Sequence, residues 1–198
     1  MAQRQLELYY DFSSTNAYFA AFLAPDLCRR VGAELVWKPF YLGHAFRRRG
    51  HDVMRDHGNE KLAYLFRDHL RWSRRTGLPF VRPTIFPIKT SRALRGSVVM
   101  RGRGLEEAYV QAVMRAYWAE DENIAEPTVL ARIARELGVD GEEFLAEADA
   151  EAARAEVARV TDEGIGRGVF GAPMFFVGEE MFWGKDRLDF VEELLTGK

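Results

Sequence analysis

Two short segments carry the residue types and spacing that could do chemistry. The first is Asp11–Ala17 (DFSSTNA), where a short apolar run ends and a helical pattern begins. Unpaired backbone N–H groups and a partial positive charge collect at a helix N-terminus, so an anion held there is stabilised. Ser13 or Ser14 in that position can hydrogen-bond a thiolate, phosphate or carboxylate, or can simply cap the helix. The second is Gly171-Ala172-Pro173, directly before the apolar run MFFV. A proline at the start of a strand removes no ladder donor, and the N–H and C=O of Ala172 are left to pair with an extended peptide. Taken singly, each segment is compatible with a purely structural role.

Other side chains narrow the chemistry. Cys28 is the one cysteine, which excludes a disulfide framework, a multi-cysteine metal site and a CxxC redox pair. It lies on the apolar side of a helical pattern in FLAPDLCRR and reads as a buried structural thiol. His44, His51, His57 and His69 form no H-x-H or H-E-x-x-H arrangement, so no metal site is expected. With 28 basic against 30 acidic residues the net charge is −2, and the surface offers no field for gripping nucleic acid. Arg47-Arg48-Arg49 is too short to change that and reads as a solvated loop. No apolar run approaches the ~20 residues that span a bilayer, and MAQRQLELYY has no secretory pattern, so a cytoplasmic location is expected.

The elements that must position these residues follow from periodicity. Residues 5–10 alternate as a strand, 15–31 repeat at helical spacing between Ser14 and Gly32, and 33–41 read as a second strand. That β-α-β unit is long enough for a right-handed crossover and a parallel pair. Residues 59–77 are helical, the stretch LPFVRPTIFPIK is broken by Pro79, Pro83 and Pro87, and helices resume over 91–103, 106–120, 127–137 and 141–163. Trp72, Tyr117 and Trp118 lie at helical spacing and belong to a core. The chain then returns to β: MFFV, a turn at Gly178-Glu179, MFW, and a closing helix capped by Asp186. This order is expected of an α/β domain formed by residues 1–42 and 166–198, with an all-helical subdomain, residues 43–165, inserted into it.

In this order, the blocks YYDFSSTNAYFA, FPIKTSRALRG and GVFGAPMFFVGEEMFWGKDRLDFVEELL resemble the 2-hydroxychromene-2-carboxylate isomerase and kappa-class glutathione transferase family. That family lies in the DsbA-like branch of the thioredoxin superfamily, so the resemblance implies a thioredoxin-like α/β fold with a helical insertion. It also implies glutathione as cofactor, with Ser14 meeting the sulfur where redox relatives carry a nucleophilic cysteine. Ala17 stands at the resolving position, so C-x-x-C disulfide exchange is unavailable. The backbone of Ala172, before a cis Pro173, would pair with the cysteinyl amide. Trp183-Gly184-Lys185-Asp186 would hold the γ-glutamyl end, Asp186 facing its cationic amine. His44, Phe46 and Lys89 would line the electrophile pocket.

Three positions depart from the family pattern. Thr15 replaces a proline, Lys185 a smaller polar residue, and Lys89 a neutral asparagine, the last bearing on substrate identity. The resemblance implies a thiolate that adds reversibly to the conjugated double bond of an aromatic pyruvate-type acid, in a homodimeric enzyme. A kappa-like transferase or peroxidase would instead keep the sulfur attached to a small electrophile. A third expectation is a thioredoxin-like protein that binds glutathione or a peptide without turnover.

Overall fold

A computed structural model describes residues 4–48, 50 and 53–197, with side chains described outside 53–59. Arg49 and His51 lie outside the described residues, as does the side chain of His57. The alternating run at the N-terminus forms β1 (Gln5–Tyr10), whose Leu6, Leu8, Tyr9 and Tyr10 are all buried because both sheet faces are covered. Helix α1 (Thr15–Val31) begins where the Ser14 hydroxyl accepts from the Ala17 N–H and ends at Gly32, which takes the left-handed conformation. It returns the chain to β2 (Glu34–Pro39), parallel to β1 with Leu8 beside Trp37.

Among the described residues, seven helices separate β2 from the remaining strands: α2 (Leu42–Arg48), α3 (Val53–Thr76), α4 (Ser91–Arg101), α5 (Glu106–Trp118), α6 (Pro127–Glu136), α7 (Gly141–Asp149) and α8 (Glu151–Gly166). The Pro-rich stretch between α3 and α4 forms no helix or strand, and its Phe86–Pro87 bond is cis. Then β3 (Met174–Val177) pairs antiparallel to β1, and β4 (Glu180–Trp183) forms the sheet edge, giving the order β2-β1-β3-β4. Helix α9 (Leu188–Thr196) closes the chain. One hydrophobic core runs from Leu6 on β1 to Leu195 on α9 and takes in Tyr117 and Trp118, with Trp72 packed against it. Helix α8 lies so close to the sheet that a Cβ at Gly164 would stand 2.9 Å from the Tyr9 ring and 3.0 Å from Phe40.

Several boundaries differ from the sequence expectation. Helix α2 was not expected, α3 starts at Val53 instead of residue 59, and the run 141–163 splits at Ala150, whose extended backbone ends one helix and starts the next. Asp186 is not the cap of the last helix. It sits inside a turn of 3-10 helix (Lys185–Arg187), and α9 begins only at Leu188. Cys28 is buried as expected, and burial pushes its thiol up to about 11.

Candidate active site

Three turns meet at the C-terminal end of β1. The first is the β1–α1 loop, shaped by Asp11, whose fully buried carboxylate accepts from the Ser13 N–H and hydroxyl at 2.9 Å each. Its other oxygen accepts from the Leu42 N–H at 2.8 Å. Burial pushes this carboxyl up while those donors oppose the shift. One side chain thus joins the end of β1 to the start of α2. The Trp118 indole N–H adds a bond to the Phe12 carbonyl at 2.8 Å.

The second turn is Gly171-Ala172-Pro173, whose Ala172–Pro173 bond is cis. The Ser14 hydroxyl donates to the Ala172 carbonyl at 2.7 Å while accepting from the Ala17 N–H at 3.2 Å. The two segments that were ambiguous apart are therefore in direct contact. The third turn is the 183–186 loop, tied to the second by the Gly184 N–H donating to the Pro173 carbonyl at 3.1 Å. Gly184 has φ of +106°, and a Cβ there would stand 2.6 Å from an Asp186 carboxylate oxygen, so only glycine suits the position. The Trp183 indole leans over Gly171 and packs edge-on against Phe170 at 5.0 Å, yet is 55% exposed.

The structure thus gathers Ser14, Ala172, Pro173, Trp183 and Gly184, with Asp186 half-exposed on the same loop. Lys185 goes elsewhere. Its side chain is only 6% exposed and turns inward, donating to the Asn16 side chain at 2.7 Å on the first turn of α1. The ammonium lies 3.7 Å from Asp68 and 4.6 Å from the centre of the Trp72 ring, and burial lowers its pKa. It fastens the 183–186 loop to α1 and α3. His44 stacks on Tyr41 at 6.4 Å, Phe46 packs on the core, and Lys89 faces a cavity at the start of α4.

Sequence reasoning missed the role of Asp11. Its position at the end of an apolar strand was visible, but Leu42 is too distant in the chain to signal its bond. The arrangement as a whole is a helix N-terminus carrying a hydroxyl, opposite a backbone carbonyl at a cis-proline turn. A helix terminus with a hydroxyl donor can hold a sulfur anion, and the strand-edge carbonyl can take a peptide N–H.

A family model for the DSBA-like thioredoxin domain matches residues 5–196. A 2-hydroxychromene-2-carboxylate isomerase of Sphingobium xenophagum is 28% identical, the match covering 97% of this chain and 98% of that protein. The enzyme of the same name from Pseudomonas putida is also 28% identical, covering 96% of this chain and 93% of its own length. A solved structure of 2-hydroxychromene-2-carboxylate isomerase superposes with a TM-score of 0.87 at 29% identity, covering 96% of this chain and 94% of that one.

Proposed function

Because this chain belongs to the DSBA-like thioredoxin family and its relatives include 2-hydroxychromene-2-carboxylate isomerases, we propose that it is a glutathione-dependent isomerase of that type. The observation that carries the reading is the Ser14 hydroxyl, 2.7 Å from the Ala172 carbonyl, where a family redox member would need a cysteine. The residues present fit the tripeptide: a hydroxyl donor at a helix N-terminus for its sulfur, a strand-start backbone for its cysteinyl amide, and a half-exposed carboxylate, Asp186, for its amine.

When bound, glutathione supplies a thiolate that adds reversibly to a conjugated double bond of an aromatic pyruvate-type acid, which permits rotation before elimination. The chain's own contribution begins at Ser14. Its proton, held by the Ala172 carbonyl, turns to the sulfur, while Ala17 N–H continues to orient the oxygen. The Ala172 carbonyl so released accepts the cysteinyl N–H. A charge-assisted hydrogen bond contributes ~1.5–3 kcal/mol, which lowers a thiol pKa by about one to two. Ser14 acts as a donor to a bound anion and forms no bond to carbon.

The test adds glutathione to the protein at neutral pH and reads the ultraviolet thiolate band. Wild type is expected to raise it, and Ser14→Ala to reduce the thiolate fraction roughly ten-fold or more with the fold intact. A wild type with neither thiolate signal nor a glutathione-dependent thermal shift overturns the ligand. Glutathione consumed one-for-one with an aromatic enone acid would overturn isomerisation in favour of transfer.

A further inference from the structure

Helix α1 runs against the electrostatics of its own backbone. Anions stabilise the first turn of a helix and cations the last. The first turn of α1 contains no acidic residue, and a buried cation is pressed against it instead. The Lys185 ammonium donates to the Asn16 side-chain oxygen at 2.7 Å, and Asn16 is the second residue of that turn. Lys185 is buried, so water and salt screen its charge poorly. The charges that face it leave much of it in place. On α3, Asp68 stands 3.7 Å away, and His69, whose pKa burial holds down to about 4, is uncharged at neutral pH. On its own loop, Asp186 is paired with Arg187 at 3.2 Å.

The same turn begins at Ser14. The Ser14 hydroxyl oxygen takes the Ala17 N–H and the Ser14 carbonyl takes the Tyr18 N–H, which leaves the Thr15 and Asn16 N–H groups as helix-end donors. Asp11 works against an anion there. Its buried carboxylate accepts from the Ser13 N–H at 2.9 Å, so a negative sulfur held by Ser14 meets a like charge close by. A buried cation on the first turn of α1 offsets that repulsion. An arrangement that opposes the helix on its own acquires a purpose once an anion sits at the helix end.

We propose that Lys185 is a positioning residue for the thiolate, holding the glutathione sulfur in its anionic form by its charge on the first turn of α1 and without touching the tripeptide. The inference rests on the glutathione reading of the Ser14 site. The thiol proton leaves to solvent, and the sulfur that remains is stabilised by the Ser14 hydroxyl, the helix-end N–H groups and the Lys185 charge together. Ser14 acts through a hydrogen bond and Lys185 through its charge, so the two contributions separate on substitution. The family pattern has a smaller polar residue at this position, which could not carry that charge to Asn16.

The experiment follows the ultraviolet thiolate band of glutathione, at saturating protein, through a pH titration. Lys185→Gln keeps a donor for the Asn16 oxygen but removes the charge, and is expected to raise the ionisation midpoint of the bound thiol by about one pH unit. Lys185→Met keeps an apolar stem against Trp72 and is expected to raise it by the same amount. S-methylglutathione has no thiol to ionise, and its Kd is expected to be the same for wild type and Lys185→Gln. A wild-type midpoint in both variants overturns the proposal. A midpoint that moves in Lys185→Met alone assigns the effect to the Asn16 bond and overturns it too. So does loss of S-methylglutathione binding in Lys185→Gln, since Lys185 would then only shape the 183–186 loop. A wild type that binds neither compound overturns the glutathione reading and this inference with it, whereas a wild type that ionises glutathione keeps that reading whatever the variants do.

Discussion

Asp11→Ala is expected to destabilise the protein by about 3–5 kcal/mol, because it removes a buried carboxylate that satisfies several donors at once. The Leu42 N–H and the Ser13 N–H and hydroxyl all converge on it. Truncation leaves the buried Leu42 N–H without its acceptor at the junction of β1 and α2. For a chain of this size that is a fall of roughly 10 °C or more in Tm. Asp11→Asn keeps one accepting oxygen but turns an amide donor toward other donors, so about half the loss is expected. The consequence reaches the site as well. The Ser14 N–H donates to the Asp11 carbonyl at 3.1 Å, and the Ser13–Ser14 turn takes its shape from the Asp11 side chain. Both variants should therefore lose the glutathione thiolate signal at temperatures where they remain folded. Thermal and urea unfolding check the first part, and an Asp11→Ala protein within 1 kcal/mol of wild type would contradict it.

What could be read in the sequence was what short-range chemistry determines. Strand β1 and helix α1 match their expected bounds because alternation, a serine cap and a terminal glycine act within a few residues of one another. Placing Ser14 and Ala172 in one site came through family resemblance, since the two lie 158 positions apart, and the direct bond between them was not expected. Helix α2 escaped notice because Leu42–Arg48 is two turns long. It is set in place by the Leu42 N–H on Asp11, a bond spanning 31 positions. The misreading of Asp186 as a cap has a local cause: Gly184, with φ of +106°, turns the chain so that the 3-10 turn precedes α9. Lys185 shows the limit of residue-by-residue transfer. The loop that carries it matches the family, but the long side chain reaches Asn16 and Trp72 where a short polar one would stay near the surface. The arginine cluster at α4 draws on two separate segments, 92–95 and 149–154, and only packing brings them to one carboxylate.

The inward path of Lys185 also shapes the acid stability of the protein, through His69. This histidine is 8% exposed, lies edge-on to Phe80 at 5.5 Å and near Phe19 at 6.3 Å, and its Nε2 is buried without a hydrogen-bond partner. Burial, and next the Lys185 ammonium, hold its pKa down to about 4, with Asp68 opposing. An unfolded histidine titrates near 6.5, so between about 6.5 and 4 the unfolded chain binds the proton that the folded one refuses. Stability from this group is thus complete above pH 6.5 and is lost as pH falls toward 4, by up to about 3 kcal/mol. Protonation would place a second cation beside Lys185, which fastens the 183–186 loop to α1, so the glutathione loop should loosen with it. His69→Phe keeps the aromatic packing and removes the titration. Carboxylate protonation is common to both proteins, so the difference between their Tm-versus-pH curves isolates the histidine. The wild-type curve should fall more steeply from pH 6.5 to 4.5, and parallel curves would show that His69 is not held neutral.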